Sequence, residues 1–239
     1  MDPAKHYGLV ALLPMKAHSA RVISKNFRTF AGKPLFRWIL DNLLATPAVE
    51  LVVINTDARE ILRENGLEDG FGGKVLIRDR KPELCGDFVS MNLVLADDVA
   101  AISADAYLMT HTTNPLLSPA TMGAAIGKYQ AAKAASTADS LFTVNKFQTR
   151  FYRADGSAVN HDPANLIRTQ DLEPWFEENS NLYLFSRESF AATNARIGKT
   201  PIMHEIPKLE AADIDDAEDW MIAEAVARYQ GERPESEAA

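Results

Sequence analysis

Cysteine is almost absent from the 239-residue chain, and its single copy, Cys85, cannot form a disulfide within the chain. Long apolar runs are absent too, because no stretch reaches the roughly 18 apolar residues that a membrane-spanning helix needs. The first residues, Met1 to His6, also lack the apolar segment of a signal peptide. We therefore expect a cytoplasmic protein without internal disulfides.

Positive charge is scarce as well. Lys and Arg number 25 against 33 Asp and Glu, which gives a net charge of -8, and a sustained basic stripe is missing outside the first loop. This balance argues against nonspecific binding of nucleic acids. With 46% hydrophobic residues and no visible internal repeat, residues 1–239 are expected to form a single domain around one large core.

Short apolar runs alternate with segments of helical periodicity along most of the chain. The predicted strands are 9–13, 51–54, 74–77, 106–109, 141–144, 181–185 and 202–206. The predicted helices are 35–44, 59–64, 89–102, 119–132 and 217–229. Such alternation is typical of a doubly wound α/β fold, in which helices cover both faces of a mostly parallel sheet.

The regular pattern is interrupted by an insertion at residues 145–180, a polar segment that carries Gly156, Pro163 and Pro174. It holds more large apolar side chains than an exposed loop needs, namely Phe147, Phe151, Tyr152, Leu166, Trp175 and Phe176. Their presence favours an arm that packs against a partner subunit. A flap that packs within the chain is the alternative.

The first loop is the richest chemical signal. It begins where the strand at 9–13 ends at Pro14, and five cationic side chains fall within 18 residues: Lys16, Arg21, Lys25, Arg28 and Lys33. Positive charge concentrated where a sheet edge meets solvent suits a polyanion such as a nucleoside triphosphate. A solvated surface loop is the alternative.

A second signal is the sequence Asp213-Ile214-Asp215-Asp216. In an extended segment alternate side chains share a face, so Asp213 and Asp215 are expected to point the same way with Ile214 buried opposite. Two such carboxylates can hold Mg²⁺ together with substrate phosphates. The alternative is that Asp215 or Asp216 caps the helix that follows.

Several short motifs recur in the order and spacing of one known family. The loop from Pro14 to Lys25-Asn26 leads into Ala31-Gly32-Lys33-Pro34-Leu35. Further motifs are Asn55-Thr56-Asp57, Arg80 with Glu83 to Asp87, His111 to Leu116, Arg168 to Asp171, Glu178 to Tyr183, and Asp213 to Asp219. Over residues 8–228 the chain thereby resembles the acylneuraminate (CMP-sialic acid) cytidylyltransferases.

The resemblance implies a Rossmann-like nucleotidyltransferase fold and an enzyme that transfers CMP from CTP to an acidic sugar and releases pyrophosphate. It implies catalytic roles for Lys16, Lys25, Asp213 and Asp215, with Mg²⁺ on the two aspartates. The implied nucleotide-binding residues are Ser19, Arg21, Asn26, Arg80, Val89, Ser90 and Met91. The implied acceptor-binding residues are His111, Thr113, Asn114, Arg168, Gln170 and Tyr183.

Assembly follows from the same resemblance. It implies a homodimer formed through the insertion, so that Arg168 and Gln170 of one subunit can act in the site of the other. Arg168 is the implied clamp for the acceptor carboxylate, because a planar guanidinium can pair with a carboxylate through two hydrogen bonds.

The chain departs from the family pattern in two places. Ala17 and His18 stand where the first loop usually has two glycines, which let phosphate approach the backbone, and Arg21 is placed to supply a missing lysine charge. His111 and Asn114 replace the usual Gln and Ser. The expected acceptor is therefore a sialic acid-like nonulosonic acid other than N-acetylneuraminate, and a non-sugar acid such as a phosphonate is the alternative. A catalytically silent nucleotide-binding protein is the hypothesis from another class.

Overall fold

The computed structural model describes residues 5–17 and 24–232, apart from the side chain of residue 232. Its strands are β1 (His6–Leu12), β2 (Thr29–Phe30), β3 (Lys33–Pro34), β4 (Leu51–Thr56), β5 (Val75–Asp79), β6 (Ser103–Thr110), β7 (Ser140–Phe147), β8 (Trp175–Phe185) and β9 (Pro201–Glu205). Its helices are α1 (Leu35–Ala45), α2 (Arg59–Glu64), α3 (Met91–Ala101), α4 (Pro119–Ala134), α5 (Arg187–Thr193) and α6 (Ala217–Glu232). Within these described ranges, no helix combines the length and the apolar character needed to cross a membrane.

Seven strands form one sheet in the order β5-β4-β1-β6-β8-β7-β9. Every neighbouring pair is parallel except those that involve β8, which runs antiparallel to both β6 and β7. The predicted doubly wound, mostly parallel sheet is confirmed. The strand order reverses between β1 and β6, and open α/β sheets bind ligands beyond the carboxyl ends of the strands at such a point.

Alternate residues of β1 face opposite sides of the sheet and enter two separate cores. Leu9 and Ala11 lie in the core that α1 and α4 cover, whereas Val10 and Leu12 lie in the core that α3 and α5 cover. All four side chains are buried. Burial on both faces explains why the central strands are continuous apolar runs in the sequence rather than alternating ones.

A third, smaller apolar cluster joins the first loop to the C-terminal helix. The hairpin of β2 and β3 sets Phe30 edge-on against Trp220 of α6, with 5.3 Å between the ring centroids. Ile214 is fully buried in the same cluster. The backbone N–H of Ala31 donates to Glu224 of α6 at 3.0 Å. These contacts hold the segment that precedes α6 next to the loop that follows β1.

The insertion at 145–180 begins and ends as paired strands. The β7–β8 ladder continues out to Phe147 and Trp175, after one register shift between Phe142 and Val144. Beyond the ladder, the rings of Phe151 and Trp175 stack with their centroids 5.3 Å apart. The insertion is thus built on a two-stranded extension of the sheet, and we call residues 145–180 the arm.

Three short elements, β2, β3 and α5, were not predicted, and strand β8 is longer than expected. The strands β2 and β3 have two residues each, too few to show a periodicity. Helix α5 has seven residues, and its start was marked only by Ser186, whose hydroxyl accepts from the N–H of Ser189 at 3.2 Å. Strand β8 begins at Trp175 rather than at 181. The sequence did not indicate this earlier start, because the first four residues of the strand are exposed and show no apolar alternation.

Candidate functional site

The candidate site lies at the carboxyl ends of β1, β4 and β6, beside the point where the strand order reverses. The chain leaves β1 alongside β4, since the N–H of Met15 donates to the carbonyl of Asn55 at 3.0 Å. The N–H of Ala17 then donates to the carboxylate of Asp57 at 2.7 Å. The start of the first loop is therefore anchored to the end of β4.

Arg80, which was predicted to border the cytosine, is buried beneath this loop. Its Nε donates to Asn55 Oδ1 at 3.0 Å, and its Nη2 donates to the carbonyls of Asn55 at 2.7 Å and Met15 at 3.3 Å. Burial lowers the pKa of the guanidinium, and the nearby charge of Asp57 opposes that effect. Arg80 thus joins the ends of β1 and β4, and its contact with the base stays a prediction.

Lys16 points towards the loop that precedes α3. Its Nζ donates to the carbonyl of Gly86 at 2.9 Å and lies 3.2 Å from the carboxylate of Asp87. The predicted base-binding segment 89–91 follows directly, with residue 90 exposed and residues 89 and 91 partly buried. Lys16 therefore lies beside this segment, with its side chain held by the ion pair with Asp87.

Asn26 joins separate parts of the site. Its amide nitrogen donates to the carbonyl of Lys16 at 2.8 Å, and its amide oxygen accepts from the hydroxyl of Thr112 at 2.6 Å. Beside it, Nζ of Lys25 donates to the carbonyl of Ile214 at 2.5 Å. Lys25 and Asn26 are both 8% exposed, so these bonds are made in a largely water-excluded place. The loops after β1 and β6 and the segment before α6 are thereby held together directly.

Asp213 and Asp215 flank the buried Ile214, as the alternation predicts. Asp216 caps α6, because its carboxylate accepts from the backbone N–H groups two and three residues further on, at 2.8 and 3.0 Å. Of the two residues predicted as alternatives for the helix cap, Asp215 and Asp216, it is therefore Asp216 that caps α6.

The two remaining aspartates fit a magnesium ion. Oδ1 of Asp213 is buried and has no hydrogen-bond partner among the described residues. Burial raises the pKa of Asp213, Asp215 raises it further, and Thr113 and Lys25 act in the opposite direction. No group of three or more His, Cys, Asp or Glu converges as a metal site in ranges 5–17 and 24–232. Two carboxylates suit Mg²⁺, which usually completes its coordination with substrate phosphates and water.

The loop after β6 carries Thr113 and Asn114, both predicted to bind the acceptor. The carbonyl of Thr113 accepts from the N–H of Ile214 at 2.9 Å. Asn114 is fully buried, and its side-chain nitrogen donates to the carbonyl of Ala212 at 3.3 Å. Both residues therefore hold the segment that carries the two aspartates, which places this loop next to the candidate metal ligands.

His111 lies at the start of the same loop and is partly buried. Burial, together with the positive charges of Arg196 and Lys25, lowers its pKa to about 3. The imidazole is consequently neutral at physiological pH. In this state it offers one hydrogen-bond donor and one acceptor, and it adds no charge to the site.

Tyr183 pairs with Met109 across β6 and β8 and is fully buried. Its hydroxyl donates to the carboxylate of Glu178 and accepts from Nη2 of Arg196 at 2.9 Å. The guanidinium of Arg196 also lies 3.9 Å from the centroid of the Tyr183 ring. Glu178 and Arg196 were not singled out as site residues from the sequence.

The comparisons with known proteins agree with this geometry. The family described as Cytidylyltransferase matches residues 10–229. The chain belongs to this family. It is 24% identical to the N-acylneuraminate cytidylyltransferase of Oncorhynchus mykiss, over 93% of this chain and 51% of that protein. The chain thus spans about half the length of the fish relatives that it matches.

Bacterial relatives match over nearly their whole length. The chain is 23% identical to the CMP-N,N'-diacetyllegionaminic acid synthase of Legionella pneumophila, over 90% of this chain and 94% of that protein. It is also 23% identical to a pseudaminic acid cytidylyltransferase of Campylobacter jejuni, over 93% of this chain and 97% of that protein.

Solved structures share the fold at lower identity. A CMP:2-keto-3-deoxy-manno-octonic acid synthetase complexed with CTP superposes with a TM-score of 0.64 at 14% identity, covering 93% of this chain and 99% of that one. The 4-diphosphocytidyl-2C-methyl-D-erythritol synthase of Anaerococcus prevotii gives a TM-score of 0.61 at 12% identity, covering 95% of this chain and 100% of that one.

Four residues predicted from the cytidylyltransferase resemblance have no described contact with this cluster, for two different reasons. Ser19 and Arg21, like His18, lie outside the described residues. Arg168 and Gln170 are exposed on the arm. The guanidinium of Arg168 donates to both carboxylate oxygens of Asp171, at 2.7 and 2.9 Å. The nucleotide-binding roles of Ser19 and Arg21 and the acceptor-binding roles of Arg168 and Gln170 stay predictions. So does the action of Arg168 and Gln170 across a dimer interface.

The structure also adds residues to which the matched motifs assigned no role. Asn55 and Asp57 stand at the end of a predicted strand, and Thr112 lies inside a matched motif, so their positions carried a signal. Arg196 carried none, because it follows α5, a helix that the periodicity did not predict.

Proposed function

We propose that the protein transfers CMP from CTP to a carboxylated, sialic acid-like nonulosonic acid and releases pyrophosphate. The observation that carries the proposal is the junction of Lys25, Asn26 and Thr112 with Asp213 and Asp215 at the carboxyl ends of the parallel strands. This junction combines a buried cation with a pair of carboxylates, which is what a metal-bound triphosphate requires.

The reaction is a displacement at phosphorus. A hydroxyl oxygen of the acceptor attacks the α-phosphorus of CTP, the bond from that phosphorus to the bridging oxygen breaks, pyrophosphate leaves, and the hydroxyl proton is released. In the proposed arrangement Lys16, Lys25 and the first-loop residues Ser19 and Arg21 bind the triphosphate, and Asn26 lies near the nucleotide. Catalysis rests mainly on positioning and on stabilisation of charge.

Asp213 and Asp215 are the proposed Mg²⁺ ligands. When bound there, Mg²⁺ supplies positive charge next to the α-phosphate of CTP. The unpartnered Oδ1 of Asp213 supports this assignment, because a buried carboxylate oxygen without a partner among the described residues is costly unless a ligand completes it.

The proposed active form is a homodimer joined through the arm. Several exposed apolar side chains there support it, namely Tyr152, Leu166, Ile167, Trp175 and Phe176. In this arrangement Arg168 and Gln170 of one subunit approach the acceptor that is bound in the other subunit. The proposed contacts of the acceptor within that second subunit are His111, Thr113, Asn114 and Tyr183. A cytoplasmic location stays a prediction.

The proposal is tested by pyrophosphate release from CTP in the presence of Mg²⁺. The acceptors are sialic, legionaminic, pseudaminic and Kdo-type acids and small phosphonates, and ATP, GTP and UTP are the nucleotide controls. Release with CTP and one nonulosonic acid is expected. Release only with a phosphonate would replace the sugar acid by the non-sugar alternative. Binding of CTP without release for any acceptor would favour the catalytically silent alternative.

The two aspartates provide the sharper test. Asp213→Asn and Asp215→Asn should each lower kcat by about a thousand-fold or more, because each removes a ligand for the charge that stabilises the transition state. Asp216→Asn is the matched control, since asparagine also caps helices well and the carboxylate of Asp216 is occupied by the cap of α6. Equal losses in all three variants would contradict the assignment.

A further inference from the structure

Arg196 is a cation that neither the motifs nor the proposed chemistry uses. It follows α5, and its side chain is only 20% exposed. The guanidinium lies over the ring of Tyr183, 3.9 Å from the ring centroid, and Nη2 donates to the Tyr183 hydroxyl at 2.9 Å. The cation–π contact and the hydrogen bond together fix the head group at one place.

Most of the hydrogen-bonding capacity of this guanidinium is unused. Among the described residues, its one oxygen acceptor within hydrogen-bond distance is the Tyr183 hydroxyl, because Glu178 Oε1 is 3.6 Å away. Nη1 faces the thioether of Met109 at 3.9 Å, a weak acceptor. A guanidinium carries five N–H donors in a planar fork. The fork of Arg196 can therefore receive a further ligand with two oxygens in a plane.

The guanidinium faces the acceptor side of the candidate site. Its partner Tyr183 pairs with Met109, two residues before His111, and the charge of Arg196 acts on the His111 ring. The charge of Lys25 acts on the same ring. Arg196 therefore lies at the end of β6, close to the loop that carries the acceptor residues.

Arg168, the clamp that the resemblance implies for the acceptor carboxylate, is differently placed. Its side chain is 72% exposed, and its Nε and Nη2 are both paired with Asp171 of the same arm turn. A carboxylate ligand would have to displace Asp171. Among the described residues, the Arg196 fork donates a short hydrogen bond only to the Tyr183 hydroxyl, and its ion pair with Glu178 is longer, at 3.6 Å, so a carboxylate ligand would compete only with that longer contact.

We propose that Arg196 binds the carboxylate of the acceptor, in the same subunit that carries Asp213 and Asp215, and thereby selects acidic acceptors. This inference rests on the proposed function and names the group that recognises its substrate. A guanidinium held beside a buried tyrosine binds a planar carboxylate through two parallel hydrogen bonds, which a lysine or an amide cannot reproduce. Arg168 then contacts other oxygens of the acceptor.

The test is a steady-state comparison of Arg196→Gln with Arg187→Gln. Arg187 is a matched control at the opposite end of α5, where it donates to the Tyr107 hydroxyl at 3.2 Å and to the carbonyl of Ile102 at 3.0 Å. Arg196→Gln should raise the KM for the acceptor by at least about ten-fold and leave the KM for CTP within about two-fold. Arg187→Gln should change neither. Arg196→Lys should lie in between.

A second readout separates recognition from a merely structural role. The wild type should prefer the acid acceptor over its carboxamide analogue, and Arg196→Gln should lose that preference. A structural defect would weaken both acceptors alike, so an unchanged preference would overturn the inference. If the wild type releases pyrophosphate and Arg196→Gln matches it, only the inference fails. If the wild type releases none with any acceptor, the proposed function fails and this inference fails with it.

Discussion

The two halves of the candidate site are built in different ways. The half at the carboxyl ends of β1, β4 and β6 is held by buried bonds that cross long stretches of sequence, such as Lys25 to Ile214 and Thr112 to Asn26. The arm is joined to the sheet by the β7–β8 ladder, but Arg168 and Gln170 on it are exposed, and the bond from Arg168 to Asp171 spans only three residues. The strand-end residues are positioned by long-range contacts of the fold, whereas the Arg168 side chain is positioned by a near neighbour.

This difference has a consequence for function. In the proposed function, the described residues of the strand-end half are expected to bind the triphosphate with little change of their backbone, since they are already bound to one another. Arg168 and Gln170 of the arm have no bond to the strand-end half among the described residues, and the exposed apolar side chains of the arm favour contact with a second subunit. The nucleotide side is thus expected to be fixed within one chain, and the acceptor side is expected to be completed on assembly.

The largest expected effect contrasts two arginines, one from each half. Arg80→Met should lower the free energy of unfolding by about 3 kcal/mol, because it leaves the side chain of Asn55 and buried carbonyls without their donor. Arg168→Met, the same change at an exposed residue that pairs only locally, should cost less than about 1 kcal/mol. Urea unfolding of both variants checks this. Similar losses in the two would remove the distinction between the halves.

The strand-end half could largely be predicted from the sequence, and the physical reason is regularity. Apolar runs indicate the strands, and residues at or just after the end of a buried parallel strand lie at the carboxyl end of the sheet, so the sequence alone indicates where Asn55 and His111 lie. Likewise, the alternation of polar and apolar residues around Ile214 indicated that Asp213 and Asp215 flank a buried side chain. Which of Asp215 and Asp216 caps α6 could be decided only from the backbone geometry at the start of that helix.

The rest could not be predicted, because it depends on contacts without a period. Arg196 reaches Tyr183 through a short helix and a turn, and nothing in its local sequence signals that contact. The first half of β8 carries exposed residues on both faces, so no alternation marks it. Which subunit an arm residue serves is a property of assembly, and a single sequence contains no pattern for it.

A smaller effect is expected at His111, where the two halves meet. Its pKa is lowered to about 3 by burial and by Arg196 and Lys25, while an unfolded histidine titrates near 6.5. The unfolded state therefore binds a proton that the folded state does not, so the fold loses stability as the pH falls below about 6.5. Between pH 7 and 5.5 the loss should be about 1 kcal/mol relative to His111→Asn. Parallel stability curves for the two proteins would contradict it.

The smallest effect, about two-fold, decides whether the arm serves its own site or the partner's. An Arg168→Ala subunit and an Asp213→Asn subunit, carrying different affinity tags, are co-expressed, and the mixed dimer is isolated. If Arg168 acts across the interface, one of the two sites has both residues intact, and the mixed dimer should retain about half of the wild-type activity. If Arg168 acts in its own subunit, neither site is intact and the activity should be near zero.

The matched control pairs Asp213→Asn with Lys25→Met; because both residues belong to the strand-end half, their mixed dimer should be inactive in either case. Activity in that control would mean that the strand-end half is itself shared between subunits.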